Sequence, residues 1–580
     1  MVRLAVAPFE NLSSDSKLNW AAHAAPSTLA YDLAPSADLY AAAVDSISGA
    51  FREQAARMVE GYFCTRAGRL VLVATLEDLG NAKTAASFGL DGAVADGPLP
   101  LLNELAKRLS PAARKFGTGN PEAFRDYEQG LLAGDAQAVR RGLESAAAAD
   151  PRFAVAFMVR AKLLASQGQR VEALQALQAA RAAHPDAIDA AEIDYLAASV
   201  EGNVEQRAKA LEALTRLTPA DSSRFRELAA VRLSQRRFKD AAASYEAAAR
   251  LDPDEPELWN QMGYAYAFAQ DSAGAHRALE HYAAMLGSAD SNALDSLGEV
   301  EFFLGDFSGA EKHFLAAKEK NPGRRGEEML KAAQARLMLG DLTGADAAFR
   351  KYLEQAQPSQ QKTVLFEQAQ WDFLTGRRKS GMARLESMAP KLDRDQQSLV
   401  LSQLFVWKLE TGAAKDAAGM AAQAGALAES PRARGLSAIC RVIAAPGATT
   451  SGSRLADAYA LLFARKYAES LAPLEAMYGD SDPASDGQIR ILLAWARVET
   501  GQIGEARKLV EIYPLPLASG DPVFASLIFP RVFYLRGVAL QSEGKRDEAK
   551  KCFELFLKYS GDVPDIWGEE AAARRALGTG

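Results

Sequence analysis

Cysteine and histidine are scarce in this 580-residue chain, and the scarcity removes several kinds of chemistry at once. Cys64, Cys440 and Cys552 are odd in number and far apart, so they do not read as a disulfide framework. His23, His184, His276, His281 and His313 form no His/Cys cluster with zinc-site spacing. Large aromatics are few: 25 Phe, 16 Tyr and 6 Trp. A basic excess is also missing, because 67 Lys and Arg stand against 74 Asp and Glu, a formal net charge of −7. A nucleic-acid binder needs a basic face to displace counterions from phosphate, and this balance argues against one. No run of about 18 apolar residues free of charge is evident, so no membrane insertion is expected. Met1 to Phe9 lacks the basic stretch and long apolar core of an export signal. The expectation is a cytoplasmic protein, or a periplasmic one if the chain is a trimmed ectodomain.

Catalytic patterns are missing too. Gly117-Thr-Gly-Asn120 and Ser451-Gly-Ser453 lack the lysine of a phosphate loop. There is no Gly-x-Ser-x-Gly elbow and no His-Glu-x-x-His helix. Paired carboxylates such as Glu327-Glu328 and Asp252 with Asp254 sit beside Lys and Arg, as on a solvated helix surface. The basic pairs Arg236-Arg237, Arg324-Arg325 and Arg377-Arg378 fall in interhelical turns, where the dipole at helix ends is expected to account for them. No catalytic residue, cofactor site or metal site is assigned, and the chain does not read as an enzyme.

What is present is a period. Pro151, Pro185, Pro219 and Pro253 are each 34 residues apart, and similar Ala-rich or Arg-Leu-Asp endings precede them. In the unit beginning at Pro256, position 4 is Trp259, position 8 Gly263, position 11 Tyr266, position 20 Ala275, position 24 Leu279 and position 27 Tyr282. Ala241, Ala275, Ala310 and Ala345 recur at position 20, and Gly305, Gly340, Gly376 and Gly412 recur in the turn as left-handed caps. These residues resemble the tetratricopeptide repeat (TPR), a 34-residue helix–turn–helix that stacks into a solenoid. Position 8 and position 20 need small residues where two helices cross, and proline at position 32 stops the second helix.

The first hundred residues do not follow the period. Val2 to Phe9 reads as a buried strand, about Leu18 to Leu33 as a helix, Leu39 to Val44 as a strand and Ser46 to Met58 as a helix. Val59–Thr65 and Arg69–Leu76, joined by Arg66-Ala-Gly68, read as a β-hairpin, with a strand at Ala82–Phe88 and a helix at Leu99–Leu109 to follow. Ala5–Ser13, Ala55–Tyr62 and Gly68–Asp78 resemble the TolB-like N-terminal α/β domain, a resemblance that covers about a fifth of the chain and implies a fold and a habit of binding proteins. The expected fold class is therefore mainly α: a right-handed TPR-type solenoid behind a small α/β domain. The expected divisions are a TolB-like domain at 1–115, about nine TPR units at 120–424, an irregular helix and flexible loop (Pro446–Ser453) at 425–453, and about three units plus a capping helix at 454–580.

The resemblance to TPR arrays implies a concave groove lined by the first helix of each unit. By that template it holds Arg226, Asn260, Tyr264, Phe268, Asn292, Asp295, Glu299, Phe303, Gln334 and Met338. The mixture suits an extended peptide, whose main-chain amides Asn can grip. It lacks the cations that a peptide carboxyl terminus needs. Phe268, Phe303 and Met338 can alternatively be packing between adjacent units. The expected function is a non-enzymatic scaffold or adaptor for protein or peptide partners. The alternatives are the sensor or regulatory region of a bacterial signalling receptor with a kinase or DNA-binding domain, and a self-assembling structural protein.

Overall fold

Val2–Val6 (β1) opens a mixed sheet in a computed structural model that describes every residue except 14, 288–289, 322–326, 414, 446–452, 516, 518–520 and 580. Pro322, Arg324-Arg325 and residues 446–452 of the expected loop lie outside the described residues. The other strands are β2 (Glu10–Asn11), β3 (Leu39–Ala43), β4 (Arg57–Arg66), β5 (Arg69–Asp78) and β6 (Lys83–Ala93). Their order is β3-β1-β4-β5-β6, with β2 alongside β4; β1 runs parallel to β3 and β4, and β4–β5–β6 are antiparallel. The β4–β5 turn has positive φ at both Ala67 (49°) and Gly68 (75°), the two-residue geometry whose twist matches the flanking strands.

Alternation along β1 places its side chains in two layers. Leu4 and Val6 pack with Leu29 and Leu33 of α1 (Asn19–Leu33), whereas Ala5 packs with Met58 and with Ala50 of α2 (Ile47–Arg52). The helix expected over Ser46–Met58 ends at Arg52: a turn with Gln54 at positive φ (52°) follows, and Arg57 and Met58 belong to β4. The last strand runs on to Ala93, five residues further than expected, before α3 (Leu99–Leu109).

From Pro121 to Ala576 the chain is a succession of helix pairs, and it divides into two compact units. The first comprises Met1–Arg232 with Ala243–Leu258; the second comprises Leu233–Ala242 with Trp259–Gly580. These boundaries differ from those expected at 115 and 425. In the first unit a single core runs from Leu4 through Phe124 and Phe153 to Ile193. Phe116 lies at its centre, with ring centroids 4.9 Å from Tyr31, 5.3 Å from Phe124 and 5.8 Å from Phe153. Arg114 beside it donates to Asp186 and Asp189 (2.9 and 3.0 Å), and Tyr31 donates to Asp189 (2.6 Å). Phe116 and Arg114, which follow α3, are therefore a packed joint between the sheet and the helices of this unit.

The second unit shows why the period uses glycine and alanine. A Cβ on Gly263, Gly298 or Gly537, all at position 8, would lie 2.5–2.6 Å from the position-24 side chains Leu279, Phe314 and Phe553. Position 8 is small so that the large residue at position 24 of the paired helix can fill the gap. Ala275, Ala310 and Ala345 at position 20 are fully buried. Gly305, Gly340, Gly376 and Gly412 have φ of +88°, +79°, +88° and +67°, the left-handed turn expected from sequence. A second repeat signal accompanies them. Asp271, Asp306, Asp341 and Asp416 each cap the following helix by accepting from the N–H of a glycine three residues on.

One core in this unit extends from Phe268 to Ala573 and includes Leu436, Cys440 and Ile443 of the helix Pro431–Ala444. The three cysteines are unpaired, and burial pushes the Cys440 thiol up to about 12. Among the described residues one stretch, Pro522–Ser542, is long and apolar enough to cross a membrane by length and composition, although it carries Arg531 and Arg536. Most of it is buried in this core, with Val523, Phe524, Leu527, Phe529, Val532, Phe533 and Leu535 almost wholly enclosed.

Candidate interaction groove

Nine of the ten expected groove residues belong to the second unit; Arg226 belongs to the first and is exposed. Tyr264 (helix Pro256–Phe268), Asp295 and Glu299 (helix Ser291–Leu304) form a polar ladder on consecutive first helices. The Tyr264 hydroxyl donates to Glu299 Oε2 (2.7 Å). Lys331 of helix Glu327–Met338 donates from Nζ to Glu299 Oε1 (2.6 Å) and to Asp295 Oδ2 (2.7 Å). Burial pushes Asp295 up to about 6 against the pull of Lys331, and it pushes the Tyr264 hydroxyl well above its ordinary value. Burial alone would lower the Lys331 ammonium; Glu299 and Asp295 outweigh it and hold the group charged.

Lys331 was missed from sequence because it falls one place beyond the template's inward position. Its visible mark is a lone charge in the small apolar run Lys331-Ala-Ala-Gln-Ala335. Asn292, by contrast, turns its amide onto the Tyr282 hydroxyl (2.8 Å) of the neighbouring helix. Asn260 is half-buried, and its buried Oδ1 accepts no hydrogen bond.

The aromatic members do pack between adjacent units. Phe268 and Phe303 stack with centroids 5.9 Å apart, Tyr264 lies 6.4 Å from each, and Met338 is buried in the same core. Beyond them the groove is not open. After helix Ile503–Val510, residues 511–515 and Leu517 form an irregular strap against these helices. Tyr513 donates its main-chain N–H to the Phe303 carbonyl (3.2 Å), and Leu517 donates its own to Gln334 Oε1 (2.8 Å). Gln334 is fully buried in doing so. The Tyr513 ring lies edge-on to Phe307 (4.9 Å) and beneath the Arg536 guanidinium (3.8 Å). Arg490 donates to the Leu509 and Ile512 carbonyls (2.7 and 2.5 Å) from the other side.

The strap begins a longer docking line along the turn glycines. A Cβ on Gly305 would meet Tyr513 at 3.0 Å, on Gly340 Leu555 at 2.9 Å, on Gly376 the Gly561 Cα at 3.1 Å, and on Gly412 Ile566 at 3.2 Å. Main-chain hydrogen bonds run beside these contacts, Asp562 N–H to the Gly376 carbonyl (3.0 Å) and Ile566 N–H to the Glu410 carbonyl (2.9 Å). Side chains add Lys558 to the Gly340 carbonyl (2.7 Å) and the Tyr559 hydroxyl to the Leu337 carbonyl (2.8 Å).

Two of the basic pairs belong to the same line, and dipole capping is not their role. Arg377 and Arg378 stand at the start of helix Arg378–Met388, where a cation opposes the dipole. Arg378 donates to the Val563 carbonyl (2.8 Å), while Arg236 donates to Asp486 (2.6 Å) and to the Tyr478 and Ser481 carbonyls (2.7 and 2.8 Å). Tyr478, Ser481 and Asp486, and then Lys558, Asp562, Val563 and Ile566, are thus fastened to turns of the helices before them.

Residues 530–562 match the tetratricopeptide repeat family. No curated protein sequence matches the chain. Among solved structures, a tetratricopeptide repeat protein from Parabacteroides merdae is similar at 12% identity, over 43% of this chain and 98% of that one, with a TM-score of 0.32. YrrB, described as a TPR protein with an unusual peptide-binding site, is similar at 14% identity over 37% of this chain and 91% of that one, with a TM-score of 0.24. The Naa15/Naa10 structure bound to HypK-THB is similar at 15% identity over 79% of this chain and 72% of that one, with a TM-score of 0.32. The chain thus carries a tetratricopeptide repeat at 530–562, and helix pairs before it repeat that segment's packing of a position-8 glycine against a large position-24 side chain.

Proposed function

We propose that the protein is a non-enzymatic scaffold that holds protein partners as extended segments against its helix-pair surfaces. The observation that carries this reading is the grip of Gln334 and Phe303 on the main-chain amides of Leu517 and Tyr513. A groove that holds residues of its own chain through their main-chain amides has the chemistry to hold the amides of a peptide. The TolB-like reading of the sheet belongs to the same proposal; what supports it is that the segments Ala5–Ser13, Ala55–Tyr62 and Gly68–Asp78 overlap β1, β4 and β5 of one sheet.

The test is competition in trans. A labelled peptide of residues 509–522 is titrated into the intact chain and into a Tyr513→Gly/Leu517→Gly variant, whose strap makes fewer contacts. The peptide is expected to bind the variant at least about tenfold more tightly than the wild type, a difference of about 1.4 kcal/mol. Adding Gln334→Leu should abolish that gain. Equal, negligible binding to all three folded proteins contradicts the reading.

A further inference from the structure

A cleft of about 160 Å³ in the second unit lies apart from the polar ladder and the strap. Helix Gln361–Leu374 lends it Phe366, helix Arg378–Met388 its last residue, and helix Arg394–Glu410 Leu399 and Val400. Leu392 lines it from the connection between the last two, and Val523 from the short helix Pro522–Leu527. Met388, Val400 and Val523 are buried in the unit's core, and Phe366, Leu392 and Leu399 pack against that core half-buried. Gln403, itself fully buried, fixes the Val523 wall by donating to its carbonyl (2.8 Å).

The rest of the lining is Lys362, Thr363, Gln396 and Arg432, so two cations and no carboxylate border an apolar floor. Lys362 donates to an uncharged partner, Gln396 Oε1 (3.1 Å). Arg432 stands 3.6 Å from Asp521, too far for a hydrogen bond, and more than half of its side chain is exposed. Both cations therefore have donors to spare.

Size and charge together select the ligand. Apolar cavities of about 150 Å³ take up benzene, and a cation beside an apolar wall attracts an anion more strongly than one in open water. We propose that this cleft binds a small aryl carboxylate, its ring against Phe366, Leu399 and Val400 and its carboxylate towards Lys362 and Arg432. A peptide side chain is the less favoured occupant. Its main chain would bring N–H donors to a mouth bordered by cations, where Gln396 Oε1 already accepts from Lys362.

Ligand-observed NMR on the intact chain tests this with phenylacetate, its neutral counterpart phenylacetamide, and N-acetylphenylalaninamide as the peptide arm. Phenylacetate is expected to bind with a Kd of about 1 mM, as suits a ligand of about ten non-hydrogen atoms. Phenylacetamide should bind about fivefold more weakly, the worth of an exposed ion pair. Lys362→Gln with Arg432→Gln should remove that preference and leave phenylacetamide binding unchanged. Both replaced side chains are exposed, so thermal unfolding should match wild type. Thr363→Trp, at the exposed rim, should block both ligands. Phenylacetate that fails to bind at about tenfold that concentration overturns the proposal, as does an amide that binds equally well. A double variant that keeps the preference, a Thr363→Trp variant that binds both ligands as before, or N-acetylphenylalaninamide binding more tightly than the acid also overturns it.

Discussion

Glycines that look alike in sequence differ sharply in what surrounds them. A Cβ on Gly298 would lie 2.6 Å from the Phe314 ring, whereas one on Gly435, inside helix Pro431–Ala444, would meet nothing within 4 Å. Replacing a helical glycine by alanine gains about 1 kcal/mol of helix propensity, and overpacking a tight contact costs about 1–3 kcal/mol. Gly298→Ala is therefore expected to lower the denaturation midpoint and Gly435→Ala to raise it slightly, as chemical denaturation will show. The period made Gly298 legible as position 8. It made Phe314 legible as the large residue at position 24 too; the 2.6 Å approach between them needed the structure.

A buried carboxyl sets a second residue-scale expectation. Asp32 in α1 is fully buried, neither of its carboxyl oxygens accepts a hydrogen bond, and burial pushes it up to about 8 against the pull of Arg114. Its folded pKa lies above the unfolded value, so between about pH 4 and about pH 8 the folded chain holds a proton that the unfolded chain has lost. Stability from this group is complete below about pH 4 and drains away as pH rises through about 8. Asp32→Asn should flatten the fall of melting temperature across that range; an unchanged pH profile would show that the carboxyl is not protonated in the fold.

At the scale of elements, the last helix, Glu569–Ala576, is held by one buried ion pair. Arg531 donates to Glu569 Oε1 (2.7 Å) with both side chains almost wholly enclosed, and its guanidinium lies 3.8 Å from the Trp495 ring. Removing one partner of such a pair leaves a buried charge unmatched and costs about 3–5 kcal/mol. Glu569→Ala should lose about that much in a denaturant titration, and Arg531→Met with Glu569→Leu should recover most of it. Cap and pair were half legible: the charged helix stood out at the chain's end, but the arginine it covers lies 38 residues earlier in an apolar run.

At the scale of the molecule, self-similarity at 34 residues exposed the helix pairs because each unit repeats the same side-chain demands. The docking of residues between 478 and 566 on earlier turns left no such trace. Many of its contacts are main-chain carbonyls at Phe303, Leu337, Gly340, Gly376 and Glu410, which any residue supplies, or glycines already accounted for as turns, and the side chains that add to them, Arg236, Gln334 and Arg378, carry no mark of their partners in the sequence. The template placed a groove on these helices, but the segment of the chain's own that lies against it was not legible, because Ile512-Tyr-Pro-Leu515 carries no pattern beyond that of a loop. A chain ending at residue 453 should leave Phe303, Phe307 and Met338 uncovered. Such a chain is expected to lose cooperative unfolding of its second unit and to bind a hydrophobic dye, as calorimetry and fluorescence will report.

The central claim is that the groove of the second unit is filled by its own chain, with the strap and the residues after it fastened to the turns. Hydrogen exchange of the Tyr513, Leu517, Asp562 and Ile566 amides in the intact protein tests it most directly, since each donates to an earlier helix end or turn. Strong protection at all four, with loss at Leu517 alone on Gln334→Leu, is the expected result. Exchange at the rate of an unstructured loop at 513 and 517 would contradict the account.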